Sequence, residues 1–325
     1  MIFIPGCAGF IGFSTTLALL KDGFECVGVD NLNQYYDIRM KQKRLSILKD
    51  YKNFTFYETD IENFEALKLI FQLHKFDSII NLAARAGVRY SMQNPFVYLS
   101  TNTLGTLNLF ELARSFGVEK VVLASTSSLY AGEKLPFRED YCVNKPLSVY
   151  AVSKKAMEGL ANSYNQLYGI DVTMLRYFTV YGPYGRPDMS IFRFIKWIYE
   201  GSPVVIFGDG NQSRDFTYID DVVDATTKGL KKVGCEAFNV GGSTSYSLNY
   251  VISLIEENLG KKANIVYKEF HRADVLATKA DFSKIKQILG WEPKTSLEDG
   301  IKKLCNWYIE NEQFLKDISI QESDR

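Results

Sequence analysis

Three glycines at fixed spacing, in the run Gly6-Cys7-Ala8-Gly9-Phe10-Ile11-Gly12, follow a short apolar segment and open a stretch with helical character. A strand that passes into a helix over glycines leaves unpaired backbone N–H groups and the positive end of a helix dipole facing outward, a surface suited to a diphosphate. The spacing is GxxGxxG and not the GxGxxG of the usual dinucleotide fingerprint, so its context has to carry the reading. That context is present. The second apolar run, CVGVD, ends on Asp30, 18 residues beyond Gly12, followed by Asn31. A carboxylate there is placed to accept hydrogen bonds from an adenosine ribose and would repel a 2'-phosphate, which favours NAD over NADP.

A chain that starts this way commits to alternation, and short apolar runs do alternate with helix-like stretches through the first 180 residues. The fold class expected is α/β: a doubly wound parallel (Rossmann) sheet of about seven strands with a smaller interleaved α/β substrate-binding lobe. Strands are predicted at Met1–Pro5, Glu25–Asp30, Phe54–Tyr57, Ser78–Leu82, Val121–Ser125, Val172–Tyr177 and Ala237–Val240, with helices at Ile11–Lys21 and Asn102–Phe116. Asp60-Ile61 and Leu82-Ala83-Ala84 then follow the third and fourth strands, at the carboxyl ends where open sheets bind ligands. Length supports one large or two coupled units, since about 150 residues make a typical domain. Residues 179–214 are dense in Gly and Pro, too rich in turns for another regular unit, and a helical stretch follows Gly242. The expected division is 1–178 plus about 215–243 for the dinucleotide, about 179–214 plus 244–318 for the substrate, and a frayed polar tail at 319–325.

Charge and composition mainly exclude. Lys plus Arg and Asp plus Glu both number 38, so no overall field points to nucleic acid or an anionic membrane. The basic run Arg39–Arg44 reads as a solvated helix face. Five scattered cysteines without a CxxC pair suit a reducing cytosol, and no metal-ligand spacing is present. The glycines interrupt the apolar start too early for a signal peptide or membrane span, so a cytoplasmic protein is expected. The two histidines, His74 and His271, leave acid–base chemistry to other groups. Tyr150-Ala151-Val152-Ser153-Lys154 supplies them, with phenol and ammonium one helical turn apart on the same face. A phenol near pKa 10 needs about 3 units of help to act at neutrality, and Lys154 together with a positively charged nicotinamide would provide it. Thr126, ending the preceding strand, would hydrogen-bond the reacting oxygen.

With these residues in view, the chain resembles the extended short-chain dehydrogenase/reductases over about residues 1–310, and within them the UDP-glucuronate 4-epimerases. The likeness rests on DNLNQYYD at 30–37, AGVRYS at 86–91, RYFTVYGP at 176–183 and GRPDM at 185–189. The resemblance implies a tightly held NAD that takes a hydride from C4 of the sugar while Tyr150 removes the 4-hydroxyl proton. The 4-keto sugar turns over and both are returned to the opposite face. NAD contacts would fall on Gly6, Gly9, Phe10, Ile11, Gly12, Asp30, Asn31, Asp60, Ile61, Leu82, Ala83, Ala84, Tyr150, Lys154 and Tyr177. It also implies a homodimer through a bundle of the helices at Asn102–Phe116 and Tyr150–Tyr168.

Related chemistries separate at Ala124-Ser125-Thr126-Ser127-Ser128. The 4,6-dehydratases keep Asp-Glu after the threonine and the UDP-glucuronate decarboxylases a Glu at the second position, whereas both are serine here. The galactose-type epimerases usually have Asn where Thr179 stands. Thr179, Ser127 and Ser128, with Arg186 and Arg89 nearby, are expected around a uronate carboxylate, which needs donors once it leaves water. By the same resemblance Arg214, Arg272 and Asp274 would hold the diphosphate and ribose, and Met189 to Phe192 would line the uracil. The expected activity is 4-epimerisation of UDP-glucuronate to UDP-galacturonate. The alternatives are a UDP-glucose or UDP-N-acetylglucosamine 4-epimerase, then a UDP-glucuronate decarboxylase or a catalytically silent NAD-sensing protein, although a silent sensor would be expected to have lost the Tyr150–Lys154 pair.

Overall fold

All seven expected strands occur, and all join one parallel sheet. In the computed structural model, which describes residues 1–269 and 275–320, they are β1 (Ile2–Pro5), β2 (Cys26–Asp30), β3 (Phe54–Glu58), β4 (Ser78–Asn81), β5 (Lys120–Thr126), β6 (Asp171–Tyr177) and β10 (Cys235–Val240). The spatial order is β10-β6-β5-β4-β1-β2-β3. Strands β1, β2, β4, β5 and β6 are buried at every residue, because helices cover both faces. Alternate side chains of β1 serve two cores: Ile2 and Ile4 join Phe10, Phe13 and Leu19 on one side, and Phe3 joins Val27, Leu109 and Phe110 on the other. The chain runs outward from β1 through β2 and β3, then returns to set β4 against the opposite edge of β1. The crevice where the order reverses lies at the carboxyl ends of β1 and β4, the place where such sheets receive ligands.

The irregular stretch after β6 holds more regular structure than its Gly and Pro content suggested. It contains β7 (Thr179–Tyr181), a helix at Ser190–Glu200 and β8 (Pro203–Phe207). Strand β9 (Ser213–Tyr218) pairs with β7 and with β11 (Ser245–Ser247), while β8 pairs with β12 (Asn264–Lys268). The helix at Leu297–Glu310 packs its Ile301, Leu304 and Tyr308 into the same core as the sheet. At the end of the described chain, Ile318 is buried and the Ser319 amide donates to the Asp37 carboxylate, so the expected fraying does not begin at 319.

One helix departs from its expected form. Residues 102–104 belong to a π-helical stretch, Leu99–Leu104, and the α-helix proper covers Gly105–Phe116. The wide turn lets buried Asn102 accept from the Arg85 amide (2.7 Å) and donate to the Arg85 carbonyl (3.0 Å) and Ser153 hydroxyl (2.9 Å). No helix among the described residues is long and apolar enough to cross a membrane.

Candidate active site

The glycine turn is held by contacts that exclude larger residues. Gly6 has φ +80°, and a Cβ there would lie 2.6 Å from the Ala83 amide nitrogen. A Cβ on Gly12 would lie 1.9 Å from the Gly6 carbonyl oxygen. The turn is closed by Gly9 N–H donating to Gly6 O (3.0 Å) and Phe13 N–H to Gly9 O (2.8 Å). Gly9 caps the Phe10–Lys21 helix with no side-chain hydrogen bond, so the first-turn amides stay open toward a cleft of about 490 Å3. At the end of β2, Asp30 is buried against this cleft, accepting from the Leu32 amide (2.9 Å) and from Lys41 Nζ (3.3 Å). An uncapped helix N-terminus beside glycines, with a carboxylate at the end of the next strand, fits a dinucleotide. Asn31, Asp60, Ile61, Leu82, Ala83, Ala84 and Tyr177 line the same cleft, and Asn31 Nδ2 donates to the Asp60 carboxylate.

The helix at Ile38–Lys49 corrects the reading of its basic run. Lys41 and Arg44 are buried, 4% and 0% exposed, on the face that also carries Met40, Leu45 and Leu48. Asp30 and backbone carbonyls of two loops offset the desolvation of these cations. The signal was in the sequence, because Met40, Lys41, Arg44, Leu45 and Leu48 share one face at helical spacing.

Tyr150 and Lys154 lie in the first turns of the helix Val149–Tyr168, which Ser148 caps by accepting from the Ala151 amide at 3.1 Å. Both line the cleft together with Thr126, Ser127 and Ser128 from the end of β5. Burial pushes the Tyr150 phenol up; a hydrogen bond from Thr126 and the charge of Arg186 work in the opposite direction. Burial pulls Lys154 down to about 7, against the pull of Glu158. The ammonium of Lys154 donates to the Ala124 carbonyl at 2.8 Å. Among this chain's own groups, Thr126 and Arg186 are those that draw the Tyr150 phenol down. Beneath the pair, Glu158 accepts from Ser125 Oγ (2.6 Å) and from Arg176 Nε (2.9 Å) and Nη2 (2.8 Å), tying the helix to β5 and β6.

At the far end stand Thr179, Arg186, Met189 and Arg89. Arg186 donates to both oxygens of Asp188 and lies over the ring of Tyr35 at 5.3 Å. Tyr98, edge-on to Tyr150 at 6.1 Å, donates to the Ala86 and Gly87 carbonyls. Neither Tyr35, Tyr98 nor Asp188 was singled out from the sequence, and Arg89 stacks on Phe207 at 4.3 Å. Two expected contacts are not brought in. Phe192 is buried against Tyr308 in the core, because the inner face of the Ser190–Glu200 helix turns away from the large cleft. Arg214 does not line the cleft and donates to the Ser213 carbonyl at 2.9 Å. Arg272 and Asp274 lie outside the described residues.

A doubly wound sheet with a glycine turn, an acid at the end of β2 and a Tyr/Lys pair at the cleft defines a dinucleotide-dependent enzyme of the extended short-chain dehydrogenase/reductase type. The chain belongs to the family described as GDP-mannose 4,6 dehydratase, whose model matches residues 3–304. Its nearer likenesses are epimerases. It is 54% identical over 318 residues to the UDP-glucuronate 4-epimerase of Thermodesulfobacterium geofontis, covering 98% of each chain. A crystal structure of UDP-glucuronic acid 4-epimerase from Bacillus cereus, in complex with UDP-glucuronic acid and NAD, superposes with a TM-score of 0.90 at 35% identity, covering 95% of this chain and 99% of that one. UDP-glucose 4-epimerase from Thermotoga maritima with UDP-glucose follows at 0.88 and 34%, with the same coverage.

Proposed function

We propose that this protein is an NAD-dependent UDP-glucuronate 4-epimerase that interconverts UDP-glucuronate and UDP-galacturonate. The observation that carries the reading is one continuous cleft joining the glycine turn, the half-buried Tyr150 and buried Thr126, and a sugar end lined by Ser127, Ser128, Thr179 and the Asp188-paired Arg186. NAD, when bound, supplies a reversible acceptor for the C4 hydrogen and its electron pair. Tyr150 takes the 4-hydroxyl proton and later returns it, and Thr126 holds the reacting oxygen and favours the phenolate. Lys154, fixed on the Ala124 carbonyl, sets the depth of the helix and the electrostatics beneath the phenol.

A 4-keto uronate is a β-keto acid, which loses CO2 when its carboxylate is freed from polar contacts. Neutral hydroxyls suit that carboxylate, and Arg186 already answers Asp188, so the acid group is held without full charge neutralisation. Residues 1–178 with about 215–243 serve the cofactor in this reading and about 179–214 with 244–318 the UDP-sugar. The support is the return of β10 to the main sheet after β7 to β9. We further propose a cytoplasmic homodimer joined by the helices Gly105–Phe116 and Val149–Tyr168. Free cysteines support the compartment, and exposed Leu104 and Val152 beside that helix pair support the interface.

NMR product analysis after separate incubation with UDP-glucuronate, UDP-glucose and UDP-N-acetylglucosamine tests the substrate. Turnover of the neutral sugars alone overturns the uronate reading. With Thr179→Ala, UDP-pentose is expected alongside the epimer; unchanged epimer without pentose counts against the role given to the hydroxyls.

A further inference from the structure

Among the described residues, Arg44 is the most completely buried cation that the proposed chemistry does not use, at 0% exposure. Its five hydrogen bonds go to neutral groups. Nη1 donates to the Ala8 carbonyl (3.1 Å) and the Tyr36 hydroxyl (2.7 Å), Nε and Nη2 to the Tyr184 carbonyl (3.0 and 2.7 Å), and Nη2 to the Gly185 carbonyl (3.1 Å). An arginine stays charged at any ordinary pH, and burying it against carbonyls and a hydroxyl, with no carboxylate among these acceptors, is expensive.

The acceptors belong to three segments, of which two, the glycine turn and the loop that lies 140 residues beyond Arg44, belong to the proposed ligand sites. Ala8 lies inside the glycine turn. Tyr184 and Gly185 immediately precede Arg186, which lines the sugar end of the cleft. Tyr184 has φ +60°, a left-handed conformation that a tyrosine rarely adopts, and its carbonyl takes two of the five bonds. A planar fork spans both segments at once, as a single ammonium could not. The side chain thus holds an unfavourable turn in place from the cofactor side.

We infer that Arg44 is a positioning residue that couples occupancy of the cofactor turn to the geometry of the substrate loop, so that a bound dinucleotide and a bound UDP group stabilise one another. The inference rests on the proposed NAD and UDP-sugar sites but not on the uronate. Coupling of this kind is reciprocal: if NAD organises the loop for UDP, then UDP raises the affinity for NAD by the same factor, and the tighter complex is read as slower loss of NAD. Tyr36→Phe removes one acceptor of the fork, and Arg44→Lys keeps the charge but not the span.

The experiment follows NAD release from the purified holoenzyme after dilution, with and without saturating UDP. Wild type is expected to lose NAD about tenfold more slowly with UDP present, the scale of a typical coupling. Arg44→Lys should bring that ratio close to one and raise KM for UDP-glucuronate with a smaller change in kcat. Tyr36→Phe should lower the ratio part-way, and it keeps the test available should Arg44→Lys not fold. UDP protection undiminished in either folded variant, or no protection in wild type, overturns the inference. Failure of wild type to turn over UDP-glucuronate would instead count against the proposed substrate, leaving the UDP result standing.

Discussion

At the glycine-turn end of the cleft the surface offered to a ligand is largely main chain, whereas at the sugar end it is side chains gathered from distant stretches. Gly6, Gly9 and Gly12 lie within seven consecutive residues and work because nothing projects from them. Tyr35, Ser127, Tyr150, Thr179 and Arg186 come from five separate segments and work because of what they project. The first kind of site tolerates no added atom and is indifferent to chemistry beyond that. The second tolerates modest changes of shape but depends on each functional group. Loss of ligand and loss of reaction should therefore separate along the cleft.

Gly12→Ala attacks the main-chain end and should have the largest effect. Its Cβ would fall far inside van der Waals contact with the Gly6 carbonyl, backbone that cannot swing aside. The turn must open, and purified protein should carry less than about a tenth of the wild-type NAD, with overpacking of this kind costing roughly 1–3 kcal/mol or more. Full NAD content, measured by acid release and enzymatic assay, would show that the turn is more pliable than its contacts imply.

Tyr150→Phe attacks the side-chain end. Here kcat should fall by about 10²–10⁴, the usual range for a lost acid–base group, while NAD content remains at the wild-type level. A variant that lost both together would break the proposed separation of the two ends.

A smaller effect sharpens the boundary between them, where Lys154 sits. Burial brings its pKa from 10.5 down to about 7, opposed by Glu158. Between those values the unfolded chain binds a proton that the folded chain does not, so this group's contribution to stability rises with pH. Below about pH 7 the folded protein must bury the charge and that contribution is gone. Lys154→Met removes the dependence. Any gain in Tm of the variant over wild type should be greatest near pH 6 and narrow toward pH 10, and a difference that widens with pH would contradict a depressed pKa.

The same contrast explains how much was legible in the sequence. The glycine turn, Asp30 and the strand ends could be read because backbone conformation and strand position constrain local residue choice, and the local pattern survives without knowledge of the fold. Tyr150 and Lys154 were legible for the same reason, lying four residues apart on one helix. Lys41 and Arg44 share a face with Met40, Leu45 and Leu48 that the spacing shows, but their charge outweighs that pattern until the carbonyls and carboxylate that receive them are known. Tyr35 and Tyr98 were missed because Tyr35 reaches the cleft, and Tyr98 reaches Tyr150, only once separate segments converge. Phe192 was placed in the cleft by proximity along the chain to Met189, but one helical face separates the two.

The π-helical stretch Leu99–Leu104 has a consequence for how this chain can change over generations. Ahead of it, Tyr98 reaches the Ala86 and Gly87 carbonyls over the cleft; beyond it, Leu109, Phe110 and Leu112 fill the core. A regular helix turns about 100° per residue, so a one-residue deletion in the wide turn would swing one of these faces out of register with the other. The segment can accept substitution at Leu99, which faces outward, far more readily than any change in its length. Its length, more than its composition, sets the register between the two faces.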